Sequence, residues 1–169
     1  SLENYEDYSG YEYMSGFEIM NYGSCFSGYN DYNPQVYDDL LRLGRRIPCI
    51  AGDDNHNWVD PSLPVSDSFG AWTMIKADKL EYRTITKALQ DGNTYVSQGP
   101  EIKELWYEDG ILHIETSPAK SIAFTTAVRH TKNVMDFHKK PVDNASWEVP
   151  KDAIYVRVTV TDFEGNHAC

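Results

Sequence analysis

Asp54 and His56 are the residues of this chain whose types and spacing best suit chemistry. They stand two positions apart in Gly52-Asp53-Asp54-Asn55-His56-Asn57. A carboxylate offers oxygen and an imidazole offers nitrogen, so together they suit one divalent cation. The short apolar run Ile47-Pro48-Cys49-Ile50-Ala51 precedes them and stops abruptly. In an α/β barrel the first residues past the carboxyl end of a buried strand point into the site. Residues i and i+2 of an extended segment project to the same side, which would aim both side chains at one ion. The bland reading of the same residues is a polar turn, since Asp and Asn are common after strands.

The elements that must hold this pair are legible upstream. Gly16-Phe17-Glu18-Ile19-Met20-Asn21 reads as a short buried strand ending in polar residues, followed by a Gly/Ser/Tyr/Asn-rich loop over 22–32. Asn33-Pro34 suits an N-cap with proline at the first helical position. Val36, Leu40, Leu41 and Leu43 then form a helical stripe that Gly44 stops. Strand, loop, helix and strand make one βαβ unit, which implies parallel pairing. After a loop with Trp58, Pro61 and Pro64, a strand is expected over 69–76 and a helix over 81–91, with Gly92 as its stop. Thr94-Tyr95-Val96-Ser97 is a short β-rich run that Gly99-Pro100 ends.

The second half changes period. Leu112 and Ile114 alternate with Ile111, His113 and Glu115, and Ile154, Val156, Val158 and Val160 alternate with Tyr155, Arg157, Thr159 and Thr161. Period two with one apolar face marks antiparallel strands over a core. Further strands are expected over 102–107 and 121–128, with Glu108-Asp109-Gly110 as a turn. The fold class that follows is α/β plus all-β: residues 1–100 forming βα units, and 101–169 a small antiparallel β-sandwich-like domain.

Composition narrows the function. The net charge is −11 and the pI about 4.7. So acidic a surface repels phosphate backbones, which argues against nucleic acid as a partner. A small phosphorylated substrate stays compatible, because a bound cation reverses the local field. No segment reaches membrane-spanning length and no signal peptide is visible. Cys25, Cys49 and Cys169 are too few and too scattered for a disulfide framework or a zinc ribbon, so a cytoplasmic setting is the default.

Several segments together resemble the PHP (polymerase and histidinol phosphatase) metallohydrolases. Gly52-Asp53-Asp54-Asn55-His56-Asn57 is similar to the family's last metal motif, Asp-x-His after a strand. Gly16-Phe17-Glu18-Ile19-Met20-Asn21 is similar to the Gly-x-Glu-apolar-x-Asn strand before it. The stretch from Ala88 to Pro100 resembles the segment that follows the catalytic domain in the carbaryl-hydrolase-like branch, where a β-rich extension comes next. Asp162 to Cys169 resembles the last strand and turn of that extension.

The resemblance implies a distorted βα barrel, of which residues 1–100 would be the C-terminal part. It implies several divalent ions (Mn, Fe or Zn) and hydrolysis of a small phosphorylated or ester substrate, carbamates included, by metal-bound hydroxide. Asp54 and His56 would be metal ligands and catalytic residues. The family's His-x-His motif, its central Glu and its middle histidines have no counterpart, since no histidine precedes His56. The expectation is therefore a fragment of a longer protein, inactive alone because two donors hold a metal poorly. Exposed barrel edges would then favour self-association.

Other residues fit around this pair. Glu18, Asn21, Asp53 and Asn57 are candidates to support the ligands, Asp53 by adding negative charge where the family commonly has Ser. The alternative is a satisfied strand-end carboxylate for Glu18 and loop structuring for Asn21 and Asn57. Tyr95 and Ser97 are candidates for the pocket mouth, against packing on the β domain. His113, His130, His138 and His167 fall in the β half, where His130 and His138, far apart in a polar connection, read as surface histidines, and Trp58, Trp72 and Trp106 read as core or interface anchors. A different class of function also fits: a non-catalytic binding or structural module in which the β domain is the working part.

Overall fold

The computed structural model describes residues 4–60, 62–63 and 65–169. Pro61 and Pro64, named above in the loop after Trp58, lie outside them. The chain is rich in β-structure, with few and short helices. It divides into two compact units, Ser1–Val96 and Ser97–Cys169.

The first unit opens with α1 (Tyr5–Ser9), a single turn and a half with no buried residue. A capping box holds it: the Asn4 side chain accepts from the Glu6 and Asp7 N–H groups, and Asp7 accepts from the Asn4 N–H. Strand β1 (Phe17–Asn21) pairs in parallel with β2 (Cys49–Gly52), from Phe17 opposite Cys49 to Asn21 opposite Gly52. Between them a 3₁₀ turn (Tyr22–Ser27) and α2 (Pro34–Arg42) make the crossover. Pro34 is the first helical residue, but the Asn33 side chain makes no cap bond. Gly44 takes φ +77°, the left-handed conformation that lets the chain leave the helix without a Cβ clash.

Phe17, Ile19, Met20, Leu40 and Cys49 form the core of this crossover. Tyr37 stacks on Phe17 with ring centroids 5.7 Å apart. Its hydroxyl donates to the Ile47 carbonyl at 2.9 Å, tying α2 to the approach of β2. Strand β3 (Trp72–Ile75), α3 (Tyr82–Asp91) and β4 (Thr94–Ser97) complete the segment, the last residue of β4 belonging to the second unit. Gly92, at φ +73°, ends α3.

The second unit is built of antiparallel strands. β5 (Ile102–Glu108), β6 (Ile111–Ala119) and β9 (Val142–Glu148) form one sheet, with β6 in the middle. β7 (Ser121–Thr125) lies between β8 (Lys132–Val134) and β10 (Arg157–Thr161), and β10 also pairs with β11 (His167–Ala168). Asp109 and Gly110, both with positive φ, form the two-residue turn of the β5–β6 hairpin. Ile114, Ile122, Phe124, Val158 and Val160 are buried from both sheets, and Phe124 meets Trp147 at 5.7 Å.

Some elements differ from the sequence reading. The strand expected over 69–76 begins only at Trp72. Phe69 has φ +63°, and the N–H groups of Phe69, Gly70 and Ala71 bond to a side chain, leaving no strand ladder there. β10 begins at Arg157, not Ile154, because a turn closed by Ala153 N–H to the Pro150 carbonyl comes first and leaves Ile154 exposed. Trp58, Trp72 and Trp106 are all more than a third exposed and anchor neither core.

Candidate functional site

The parallel register of β1 and β2 puts both carboxyl ends at the same level, Asn21 opposite Gly52. At that end β1 delivers Asn21 and the chain leaving β2 delivers Asp53 to Asn57, while Glu18, the second residue of β1, reaches Asn21 with its side chain. The Asn21 amide group stands between two acids. It donates to Glu18 Oε2 at 3.1 Å and to Asp54 Oδ2 at 3.2 Å. Its own carbonyl oxygen accepts from the Ser24 N–H and hydroxyl, both at 3.0 Å, which fixes the amide's orientation. Asp54, 33 residues beyond Asn21, therefore joins Glu18 and Asn21 in one hydrogen-bonded group.

Asp54 and His56 do not meet by strand alternation. The strand ends at Gly52, and Asp54 takes φ +49°, a left-handed conformation uncommon for a residue with a side chain. The chain curls instead, and His56 Nδ1 lies 2.6 Å from the carbonyl oxygen of Asp54. A carbonyl only accepts, so Nδ1 carries the proton and, in the neutral ring, Nε2 keeps its lone pair. This is the usual arrangement behind a metal-ligating histidine, whose second nitrogen donates to a carbonyl or carboxylate. The Asp54 carboxylate is 3.9 Å from the same ring, and both side chains are about half exposed (55% and 50%), open to a ligand from solvent. Trp58 stacks on the imidazole, centroids 4.9 Å apart.

Two further acids organise the surrounding backbone. Asp53 does not stand as a free charge beside the pair, as its position in the motif suggests. Its carboxylate accepts from the N–H groups of Phe69, Gly70 and Ala71, and so clamps the return of the loop to the end of β2. Asp67 does the converse from the returning segment. It is 1% exposed, and its carboxylate accepts from Asn55 Nδ2 at 3.0 Å, His56 N–H at 3.2 Å and Trp58 N–H at 3.0 Å. Burial raises its carboxyl's proton affinity, but the converging N–H groups outweigh that and hold it below the usual carboxylate range. Sequence reasoning missed Asp67. It lies in Val65-Ser66-Asp67-Ser68, a polar stretch with no period, and its partners are nine or more residues away.

The remaining candidates are placed elsewhere. Asn57, at φ +57°, donates its N–H to the Asn55 side chain and shapes the turn. Ser97 is buried in the second unit, its hydroxyl donating to the Pro100 carbonyl at 2.6 Å and accepting from Gly99 N–H at 2.8 Å. That hydroxyl holds a turn. Tyr95 is half-buried in β4. His130 and His138 are exposed, while His113 stacks on Trp106 and His167 pairs with Thr161 Oγ1.

Carboxylate oxygens and a neutral imidazole nitrogen suit a divalent cation by donor type. Their number falls short of a closed centre: among the described residues, no three His, Cys, Asp or Glu side chains converge closely enough to hold an ion. Also among the described residues, no helix is long and apolar enough to cross a membrane. No protein-family model, curated protein or solved structure matches this chain.

Proposed function

We propose that the carboxyl ends of β1 and β2 carry one side of a metal centre of the PHP type, serving hydrolysis of a small phosphorylated, ester or carbamate substrate. The supporting observation is the His56 ring, anchored through Nδ1 to the Asp54 carbonyl, with the His56 and Asp54 side chains each about half exposed. In this reading Asp54 and His56 ligate the ion (Mn, Fe or Zn), and Glu18 supports them through Asn21. When bound, such an ion supplies a more acidic water and neutralises charge in the transition state. The chain's own residues position the donors: Asn21 holds the two carboxylates at one place, Asp54 O fixes the imidazole tautomer, and Trp58 covers one ring face. Two direct donors bind weakly, so turnover requires additional ligands beside them. The PHP barrel and the β-sandwich belong to the same proposal; a barrel needs more strands beside the β1–β2 pair.

Titration of the labelled chain with Mn²⁺, read by NMR at each histidine, tests the reading. His56 signals should broaden at ion concentrations that spare His113, His130, His138 and His167, and Asp54→Ala should remove that selectivity. Uniform broadening of all five histidines would refute it. The second class of function, a binding or structural module, draws on one observation: β5 exposes Leu105, Trp106 and Tyr107 together. Loss of partner binding on changing these residues, with His56 insensitive to Mn²⁺, would favour it.

A further inference from the structure

We infer that Asp67 is the positioning residue for His56, holding the turn 55–58 so that the imidazole keeps Nε2 outward. Residues 54 to 58 are all exposed, so apolar burial cannot fix their conformation. Beneath them lies a carboxylate almost wholly removed from solvent, whose side-chain bonds run to Asn55, His56 and Trp58. The Asp67 carbonyl also accepts from Asn55 Nδ2 at 3.1 Å, so Asn55 is gripped by both the backbone and the side chain of one residue. His56 and Trp58 are the stacked pair, and a single carboxylate oxygen, Oδ2, receives both of their N–H groups. That oxygen therefore sets the spacing of the two rings and, with it, the reach of His56 Nδ1 to the Asp54 carbonyl. Charge-assisted bonds of this kind are stronger than neutral ones, and they substitute here for the ladder that ends at Gly52.

The imidazole tautomer reports this role without any metal. Long-range proton–nitrogen correlation spectra of the full chain at mildly alkaline pH should show His56 with the proton on Nδ1. Asp67→Asn keeps the shape but gives up one acceptor oxygen, and Asp67→Ala gives up both. The fraction of His56 in the Nδ1-protonated form should fall from wild type to Asn to Ala. Amide signals of β1 and α3 should stay in place, showing that the unit is folded. If Asp67→Ala does not fold, the Asp67→Asn variant carries the comparison. The metal arm rests on the proposed centre: Zn²⁺ binding read at His56 should weaken by about 10–100-fold in the variants, as for other groups that orient a ligand. An unchanged tautomer in folded Asp67→Asn and Asp67→Ala proteins, or a wild-type His56 protonated on Nε2, overturns the positioning role. A wild-type His56 that is Nδ1-protonated and Asp67-dependent, yet indifferent to Zn²⁺ and Mn²⁺, sustains the positioning role and refutes the metal centre instead.

Discussion

The described residues of the loop 53–71 in the first unit and the hairpin β5–β6 of the second reach order by different means. In the hairpin, backbone N–H and carbonyl groups pair with each other along a ladder, and the Asp109-Gly110 turn sets the register. In the loop, backbone N–H groups pair with carboxylates across the sequence: Asp53 takes three from residues 69–71, and Asp67 takes those of His56 and Trp58. The loop leaves Asp54 and His56 exposed, as the ladder leaves most of β5 exposed; the difference lies in the acceptors, which in the loop are side chains. Polar side chains used as backbone acceptors thus satisfy the N–H groups of a surface segment without burying it.

Substitutions can strike one kind of order and leave the other intact. The largest effect is expected from Phe124→Ala in the second unit, where a fully buried ring against Trp147 is lost. Denaturant unfolding should show a loss of about 3–5 kcal/mol, while the His56 signals stay unchanged. Asp53→Ala should cost less, about 1–3 kcal/mol, by leaving three N–H groups without their acceptor. Hydrogen exchange at Phe69, Gly70 and Ala71 should accelerate well beyond exchange in β6.

Acid should act on the loop through Asp67. Its carboxyl is held below the usual range when folded, so the unfolded chain takes up the proton at higher pH. Its contribution is whole above about pH 4, the ordinary carboxylate value, and is lost as pH falls toward the folded value. The stability advantage of wild type over Asp67→Asn should therefore shrink below that pH; an advantage growing with acid would contradict the hydrogen-bond account. The smallest effect is expected at Asn33→Ala. Its side chain makes no cap bond to α2, so thermal unfolding should shift by no more than about 0.5 kcal/mol.

Particular residues show why some of this was legible beforehand. The crossover β1–α2–β2 follows from apolar spacing, Pro34 and Gly44, all local signals. The β5–β6 turn follows from Asp109-Gly110. By contrast, β9 is an edge strand whose Val142, Asn144, Ser146 and Glu148 give no apolar alternation, so nothing announced it. The short α1 has a capping box but no apolar stripe. At the candidate site, Asp54 and His56 stood out by type and spacing, and Glu18 and Asn21 by their strand end. Their geometry did not follow from sequence: a left-handed Asp54 replaced the extended path, and Asp53 turned to the backbone. Asp67 was invisible because its role lies in bonds to distant N–H groups, which no period encodes.

In the proposed function, Asp54 and His56 form one face of a cation site at the carboxyl ends of two parallel strands. Anomalous diffraction from crystals soaked in Mn²⁺ or Zn²⁺ tests it most directly. A peak is expected at bonding distance from His56 Nε2 and the Asp54 carboxylate, with Asn21 still bridging Asp54 and Glu18. Peaks at other histidines with none at this pair, or a His56 ring coordinating through Nδ1 after leaving the Asp54 carbonyl, would contradict it.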